Sequence, residues 1–419
     1  MLNKKSSVIF IFITLTIDVI GWGLIIPVMP KLVSELKGVS IEEASKWGSY
    51  LLTAFAVMQF MFAPMMGNLS DRFGRRPVIL ISLLAFCIDY IILALAHNYT
   101  LLFVGRILAG ITGASFTAAS AYMADISDHS NRAKNFGLIG AAFGLGFIIG
   151  PALGGLLSGW GLRAPFYAAA VLCFANFLYG YFILPESLPK EKRRAFEWKK
   201  ANPIGSLQFF ATHKKITLLV VSFFFIFLAA QAVQSNWSYF TMFVFKWTEK
   251  QVGLSLAIVG ALIALVQGGL MHTAHKKLGE AKSIYLGLFF YAIALALFSI
   301  ANKSWMMYVF LIPYCLGGIA GPALQSIISK YIPSNEQGQL QGGLTGIMSL
   351  TSIFGPLIMN GLFYHATAPH SNFHFPGAPF LLGSIFMIIS AWIAYQFLSS
   401  HEYKQSKITE TKLTEEPIS

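Results

Sequence analysis

Twelve apolar stretches run through this chain, each long enough to cross roughly 30 Å of hydrocarbon at about 1.5 Å of helix rise per residue. They lie at 7–30, 45–67, 77–97, 100–124, 134–158, 164–185, 215–243, 250–271, 282–301, 305–329, 338–363 and 378–398. Water is absent from the hydrocarbon, so a spanning backbone must satisfy its own peptide groups, as a helix does. With 56% hydrophobic and 11% charged residues, the chain carries more apolar side chains than one soluble core encloses, whereas a bilayer accepts them on the outside of the molecule. The expected fold class is an all-α integral membrane protein of twelve transmembrane helices.

The longest polar stretch, Pro185 to Lys215, separates six spans from six. The implied organisation is an N-terminal six-helix bundle over 1–185, a linker over 186–214, a C-terminal six-helix bundle over 215–398 and a tail over 399–419. That tail is charged and lacks apolar periodicity, so disorder is expected of it. The halves echo one another, as in transporters assembled from repeats. Span five contains Gly150-Pro151 and span eleven Gly355-Pro356; Asp71-Arg72-Phe73-Gly74-Arg75-Arg76 after span two is answered by His275-Lys276-Lys277-Leu278-Gly279-Glu280 after span eight.

A formal charge of +12 raises the question of nucleic acid, and the placement of the charges answers it. With the N-terminus in the cytoplasm, 22 of the 30 Lys and Arg fall in cytoplasmic loops and tails, 7 fall outside and Arg106 lies within a helix. That is the positive-inside bias, and it predicts cytoplasmic N- and C-termini. No soluble domain is present to display a basic face with aromatic platforms, so nucleic acid is not an expected partner. Cys87, Cys173 and Cys315 all sit in apolar spans and read as core filler, without a disulfide framework or a metal cluster. Met1 to Ser7 start like a signal peptide, but the apolar run continues past Pro27 with no small-residue cleavage site, which predicts an uncleaved first helix.

The most specific local signal is Gly67-Asn68-Leu69-Ser70-Asp71-Arg72-Phe73-Gly74-Arg75-Arg76-Pro77. Gly67 and Gly74 allow a tight turn, Pro77 opens the next helix, Asp71 caps a helix N-terminus and the arginines bind carboxylates. Together they predict a breakable latch on the cytoplasmic face. This loop resembles the signature of the major facilitator superfamily, and the resemblance extends to about residue 398. It implies two six-helix, pseudo-symmetric bundles around a central cavity, working by alternating access.

Leu102-Phe103-Val104-Gly105-Arg106-Ile107-Leu108-Ala109-Gly110 resembles the fourth-helix motif whose arginine is linked to proton transfer. Gly146-Phe147-Ile148-Ile149-Gly150-Pro151-Ala152-Leu153-Gly154-Gly155 resembles the fifth-helix motif of drug:proton antiporters, where such a segment is thought to limit leak. More narrowly, the chain is similar to the tetracycline efflux pumps and their chromosomal relatives. Asp18 and the run Gly21 to Pro30 fit that group, as do Met58-Gln59, Asp89-Tyr90, Gly317-Gly318-Ile319-Ala320, Pro322-Ala323-Leu324-Gln325, Gln337-Gly338 and Leu340-Gln341-Gly342. The resemblance implies a bacterial inner membrane, protons and a small-molecule substrate as partners beside the lipid bilayer, no cofactor, and action as a monomer.

Three charges inside the hydrocarbon call for a function independently, because a charge there is costly and usually faces a cavity or a partner. Asp18 lies about eleven residues from either end of its span, near the midplane. It is the first candidate for substrate binding or proton coupling, since a carboxylate at that depth can take and release a proton as the cavity changes sides. Asp89 and Arg106 lie at similar depth and are within reach of an ion pair, for which a structural role is an equal reading. Gln59, Gln231, Gln234, Asn236 and Trp237 are candidates to line a solute site, each serving equally as interhelical glue. Gly150, Pro151, Gly154 and Gly155 would allow close packing and a bend between the halves. His365, His370 and His374 in the last external loop have no Cys or carboxylate beside them and read as solvated.

The chain departs from the tetracycline pumps in its C-terminal half. Tyr291 stands where they carry an acidic residue in the ninth helix, and an apolar residue near Ile263 replaces the eighth-helix histidine of some of them. Coupling would then rest on the N-terminal half, against a neutral C-terminal wall that favours an amphipathic or weakly charged solute. The expected function is a proton-coupled exporter of such a compound, a tetracycline-like drug being one. A metabolite importer or facilitator, and a non-transporting receptor or scaffold, are the alternatives. No nucleophile–base pair or metal set stands at matching depth, so an enzyme is not expected.

Overall fold

The computed structural model describes residues 4–113, 115–127, 131–196, 205–333, 336–369, 371 and 374–400. The first half holds α1 (Lys4–Ile25), α2 (Met29–Lys37), α3 (Ile41–Phe73), α4 (Arg75–Leu95), α5 (Tyr99–Thr112), α6 (Ser115–Ile126), α7 (Arg132–Leu157) and α8 (Ala164–Ile183). After the linker helix α9 (Gly205–Thr212), the second half holds α10 (Thr217–Gln234), α11 (Trp237–Phe245), α12 (Glu249–Leu265), α13 (Met271–Ser299), α14 (Ser304–Gly317), α15 (Ala320–Lys330), α16 (Gln337–Thr367) and α17 (Ala378–Leu398). Twelve of these runs are long and apolar enough to cross a membrane, with α5–α6 and α14–α15 each making one broken span. Residues 401–419, most of the tail expected to be disordered, lie outside the described residues.

Local sequence sets the helix ends. Gly38 leaves α2 in the left-handed region with φ 64°, which glycine takes at the least cost. The Asn98 side chain accepts from the Leu101 amide at 2.8 Å to start α5, and Thr248 with Gln251 forms a reciprocal cap on α12. The two halves repeat one plan. α1 and α10 each stop and resume as a short helix, α2 or α11; the fourth span breaks at Gly113 and the tenth at Gly318. Gly74 turns α3 into α4 with φ 103° and ψ 159°, and Gly279 makes the same turn inside α13 with φ 77° and ψ 169°.

Span limits differ from expectation where a polar turn is shorter than its sequence suggests or a break interrupts an apolar run. α3 runs on to Phe73, so the loop anticipated over 67–77 shrinks to Gly74 alone. The seventh span, expected unbroken over 215–243, breaks at Ser235–Asn236.

Contacts between the halves follow the same symmetry. α7 packs on α1 of its own half and on α12 of the other; α16 packs on α10 of its own half and on α3 of the other. These contacts gather towards the face opposite Lys4, Gly74 and Gly279. There Ser45 Oγ donates to the Asn360 carbonyl at 3.4 Å and Thr53 Oγ1 to the Ile353 carbonyl at 3.0 Å. One apolar core runs continuously through both halves at that face, whereas Phe10, Leu15, Ile79 and Tyr122 belong to a separate core of the first half alone, towards Gly74. The bundles are therefore joined at one end and parted at the other. A vestibule of about 990 Å³ fills the gap, between Ala63, Pro64 and Gly67 of α3 and Gly338, Gln341 and Thr345 of α16.

Candidate functional site

Between the halves lies a cavity of about 320 Å³. Its N-terminal wall includes Asp18 and Trp22 of α1, Phe55 and Gln59 of α3, Phe86, Asp89 and Tyr90 of α4, Arg106 of α5, Phe116 of α6, Phe143 of α7 and Cys173 of α8. The C-terminal wall is Gln231, Gln234, Ser235, Ser352 and Pro356, with no ionisable group among them. The structure thus brings together Asp18, Asp89, Arg106, Gln59, Gln231 and Gln234.

Asp89 and Arg106 form the ion pair their depths allow, Arg106 Nη2 donating to Asp89 Oδ2 at 2.8 Å with side chains 6% and 1% exposed. Gly105 makes the space for it, because a Cβ there would stand 3.0 Å from Asp89 Oδ1 and 2.8 Å from Leu93. The Phe55 ring faces the guanidinium at 6.0 Å. Gln59 Nε2 reaches the Gly113 carbonyl at 3.5 Å, where the fourth span breaks. Gln231 Nε2 reaches both Gln234 Oε1 and Ser352 Oγ at 3.4 Å, and it fits because Gly355 has no side chain to obstruct it.

Asn236 and Trp237 stand elsewhere than expected: neither lines the cavity, Asn236 is fully buried, and Trp237 lies inside the second half, its Nε1 donating to Ser255 Oγ at 2.9 Å amid the rings of Phe298 and Phe380. The break after Gln234 turns these two positions from the cavity into the bundle, which no period in the sequence announces. The aromatic lining has no mark in the sequence either, since thirty-seven phenylalanines give no means of singling out Phe55, Phe86, Phe116 and Phe143. Tyr291 is also away from the cavity lining, packed under Gly317 and edge-on to Tyr314.

The Gly67–Pro77 segment is a network confined to the first half and its linker. Arg75 is buried, pairing with Asp71 at 2.5 Å and with Asp125 at 3.1 Å and donating to Ser70 Oγ at 2.6 Å. Asp71 sits in the last turn of α3 instead of capping α4; the amide of Arg75 is met by Glu186 Oε1 at 2.9 Å. Gly67 is helical with open space around it, so the turn needs Gly74 and not Gly67. Arg76 donates to the Tyr181 carbonyl at 2.7 Å, and Arg72 lies over Phe73 at the surface. The second half carries a copy with the charges reversed, Glu280 after Gly279 pairing with Lys330 at 3.0 Å.

α7 is wedged between the halves by its glycines. A Cβ at Gly150 would meet the Ile20 carbonyl of α1, and one at Gly154 the backbone of Leu24. On the other side, Gly155 stands against the Glu249 carbonyl, and Gly253 of α12 against the carbonyl of Pro151. This close seam sets Glu249 opposite Lys31 of α2, whose Nζ lies 2.8 and 3.0 Å from its carboxylate oxygens, an ion pair joining the halves. Beside it the Tyr239 ring of α11 occupies the space over Gly48 of α3. His365 is exposed beside Tyr364 and His374 packs near Phe243, while His370 lies outside the described residues.

Two wedged bundles around a charged, aromatic cavity are the geometry of a carrier, and the comparisons agree. The family model described as Major Facilitator Superfamily matches residues 11–312 and 274–418. The chain belongs to the major facilitator superfamily. It is 41% identical to the class C tetracycline resistance protein of Escherichia coli over 93% of this chain and 96% of that one. It is 34% identical to the class B protein of E. coli, over 96% and 98%, and 31% identical to multidrug resistance protein 2 of Bacillus subtilis, over 93% and 94%. Among solved structures, the nucleoside transporter NupG matches with a TM-score of 0.77 at 13% identity, covering 94% of this chain and all of that one. The human organic anion transporter MFSD10 matches with a TM-score of 0.71 at 23% identity over the same shares, so both share the fold. A member of this superfamily is a multi-pass membrane transporter and not an enzyme, as its sequence had indicated.

Proposed function

We propose that this protein exports a small amphipathic drug, of the tetracycline kind, in exchange for protons, across a bacterial inner membrane with both termini in the cytoplasm. The observation that carries the reading is Asp18, a carboxylate on the wall of a cavity between two bundles that touch at one end and part at the other. In this arrangement the cavity opens to the cytoplasm. A flat drug enters through the vestibule, stacks among Phe55, Phe86, Phe116 and Phe143, and is held by the amides of Gln59, Gln231 and Gln234. Asp18 binds drug and proton by turns. The Asp89–Arg106 pair holds the third and fourth spans in register and keeps the remaining field on the wall small.

Export requires the joined end to open and the parted end to close, residues 1–185 rocking against 215–398 in one monomer. Opening separates Lys31 from Glu249 and lifts Tyr239 off Gly48; the seam along Gly150, Pro151, Gly154 and Gly155 serves as the pivot. The Arg75 network, together with Arg72 and Arg76 at the same surface, then forms the latch of the closed cytoplasmic end. Energised everted membrane vesicles carrying the protein should accumulate tetracycline, and an uncoupler should discharge it. Accumulation that survives full collapse of the proton gradient would overturn the reading.

A further inference from the structure

A second cavity, of about 310 Å³, lies on the outside of the second half, away from the transport path. Leu270, Leu278, Leu286, Phe290, Leu316 and Ile319 form its walls, and Lys277 stands at its rim. Leu270, Leu278 and Leu286 are exposed beside it, so the crevice opens to the lipid. Along α13 it reaches from Ser283, just past the Gly279 turn that marks the polar edge, to Phe290, about 10 Å deeper into the hydrocarbon. Its floor, Leu316 and Ile319, flanks the break at Gly318 in the tenth span. Leu270 on its wall closes the π-helical turn Val266–Leu270, a feature that frequently marks functional sites.

The charge at the polar end is one-sided. Lys276, Lys277 and Lys282 lie within one turn of Gly279, and the acid in that stretch, Glu280, is paired with Lys330 and accepts from Ser326 Oγ at 2.7 Å. An apolar slot about 10 Å deep with a cationic rim complements one kind of molecule in a bilayer. We propose that this crevice binds an anionic glycerophospholipid, its phosphate on Lys277 with Lys276 and Lys282 nearby, and an acyl chain against Phe290 and the tenth-span break. Basic pockets between transmembrane helices are recognised sites for acidic headgroups. The inference goes beyond the transport reading and holds whatever the substrate.

Native mass spectrometry of the full-length, detergent-purified protein, titrated with dioleoylphosphatidylglycerol or dioleoylphosphatidylcholine, tests it. Phosphatidylglycerol should bind at least fivefold more tightly. Lys277→Gln should weaken it about fivefold, while Lys303→Gln, an exposed lysine at the opposite face, should leave it unchanged. Thr273→Phe, which fills the crevice from its exposed rim and spares the core, should weaken it while Lys277 remains. Equal affinity for the two lipids, equal loss in Lys277→Gln and Lys303→Gln, or undiminished binding in Thr273→Phe would each overturn the proposal.

Discussion

Replacing Asp89 by Asn keeps its shape and removes its charge, leaving Arg106 buried without the carboxylate that accepts its hydrogen bond. Their side chains are 1% and 6% exposed, so neither is hydrated in place of its partner. Breaking a buried pair from one side costs about 3–5 kcal/mol, against a total stability of about 5–15 kcal/mol for a typical domain. An arginine cannot shed its proton to escape, whereas an unpaired carboxylate can take one up. Asp89→Asn should therefore lose about 3–5 kcal/mol, Arg106→Gln less, and the Asp89→Asn/Arg106→Gln double variant should recover most of the loss. Reversible unfolding in mixed micelles, with all four proteins on one cycle, measures this. Additive single losses would refute the reasoning, since uncoupled groups add and a desolvated pair does not.

Lys31→Gln should cost less than about 1 kcal/mol in stability, because Lys31 is 43% exposed, yet it should widen the Lys4-distal end of the molecule in spin-label distance measurements; the exchange Lys31→Glu with Glu249→Lys should restore the short distance. Gly253→Leu should drive a side chain into the Pro151 carbonyl and separate α7 from α12, so cysteines placed across that seam should cease to cross-link. Gly74→Ala should lose about 1–3 kcal/mol, having to adopt φ 103° and ψ 159° against the Glu186 carboxylate, and thermal unfolding in detergent should show it.

Much of the architecture was legible because lipid permits so few solutions. Span length and the placement of Lys and Arg suffice for twelve helices, and the cost of burying charge singles out Asp18, Asp89 and Arg106 from the sequence alone. What escaped depends on rotation about a helix axis. Gln234 and Trp237 are neighbours in sequence, but the break at Ser235–Asn236 sends one to the cavity and the other to the bundle core. Helix capping likewise misled at Asp71, because its competitor, Glu186, comes from beyond the sixth span. The Lys31–Glu249 pair had no signal at all: each is an ordinary polar residue at a span end, brought together by glycines in a third helix.

The central claim, that Asp18 exchanges drug for proton, is tested most directly on purified protein in weakly buffered detergent with a pH-indicator dye. Adding tetracycline to the wild type should release protons in proportion to drug bound, and Asp18→Asn should release none. Drug binding without proton release in the wild type, or release that persists in Asp18→Asn, would contradict it.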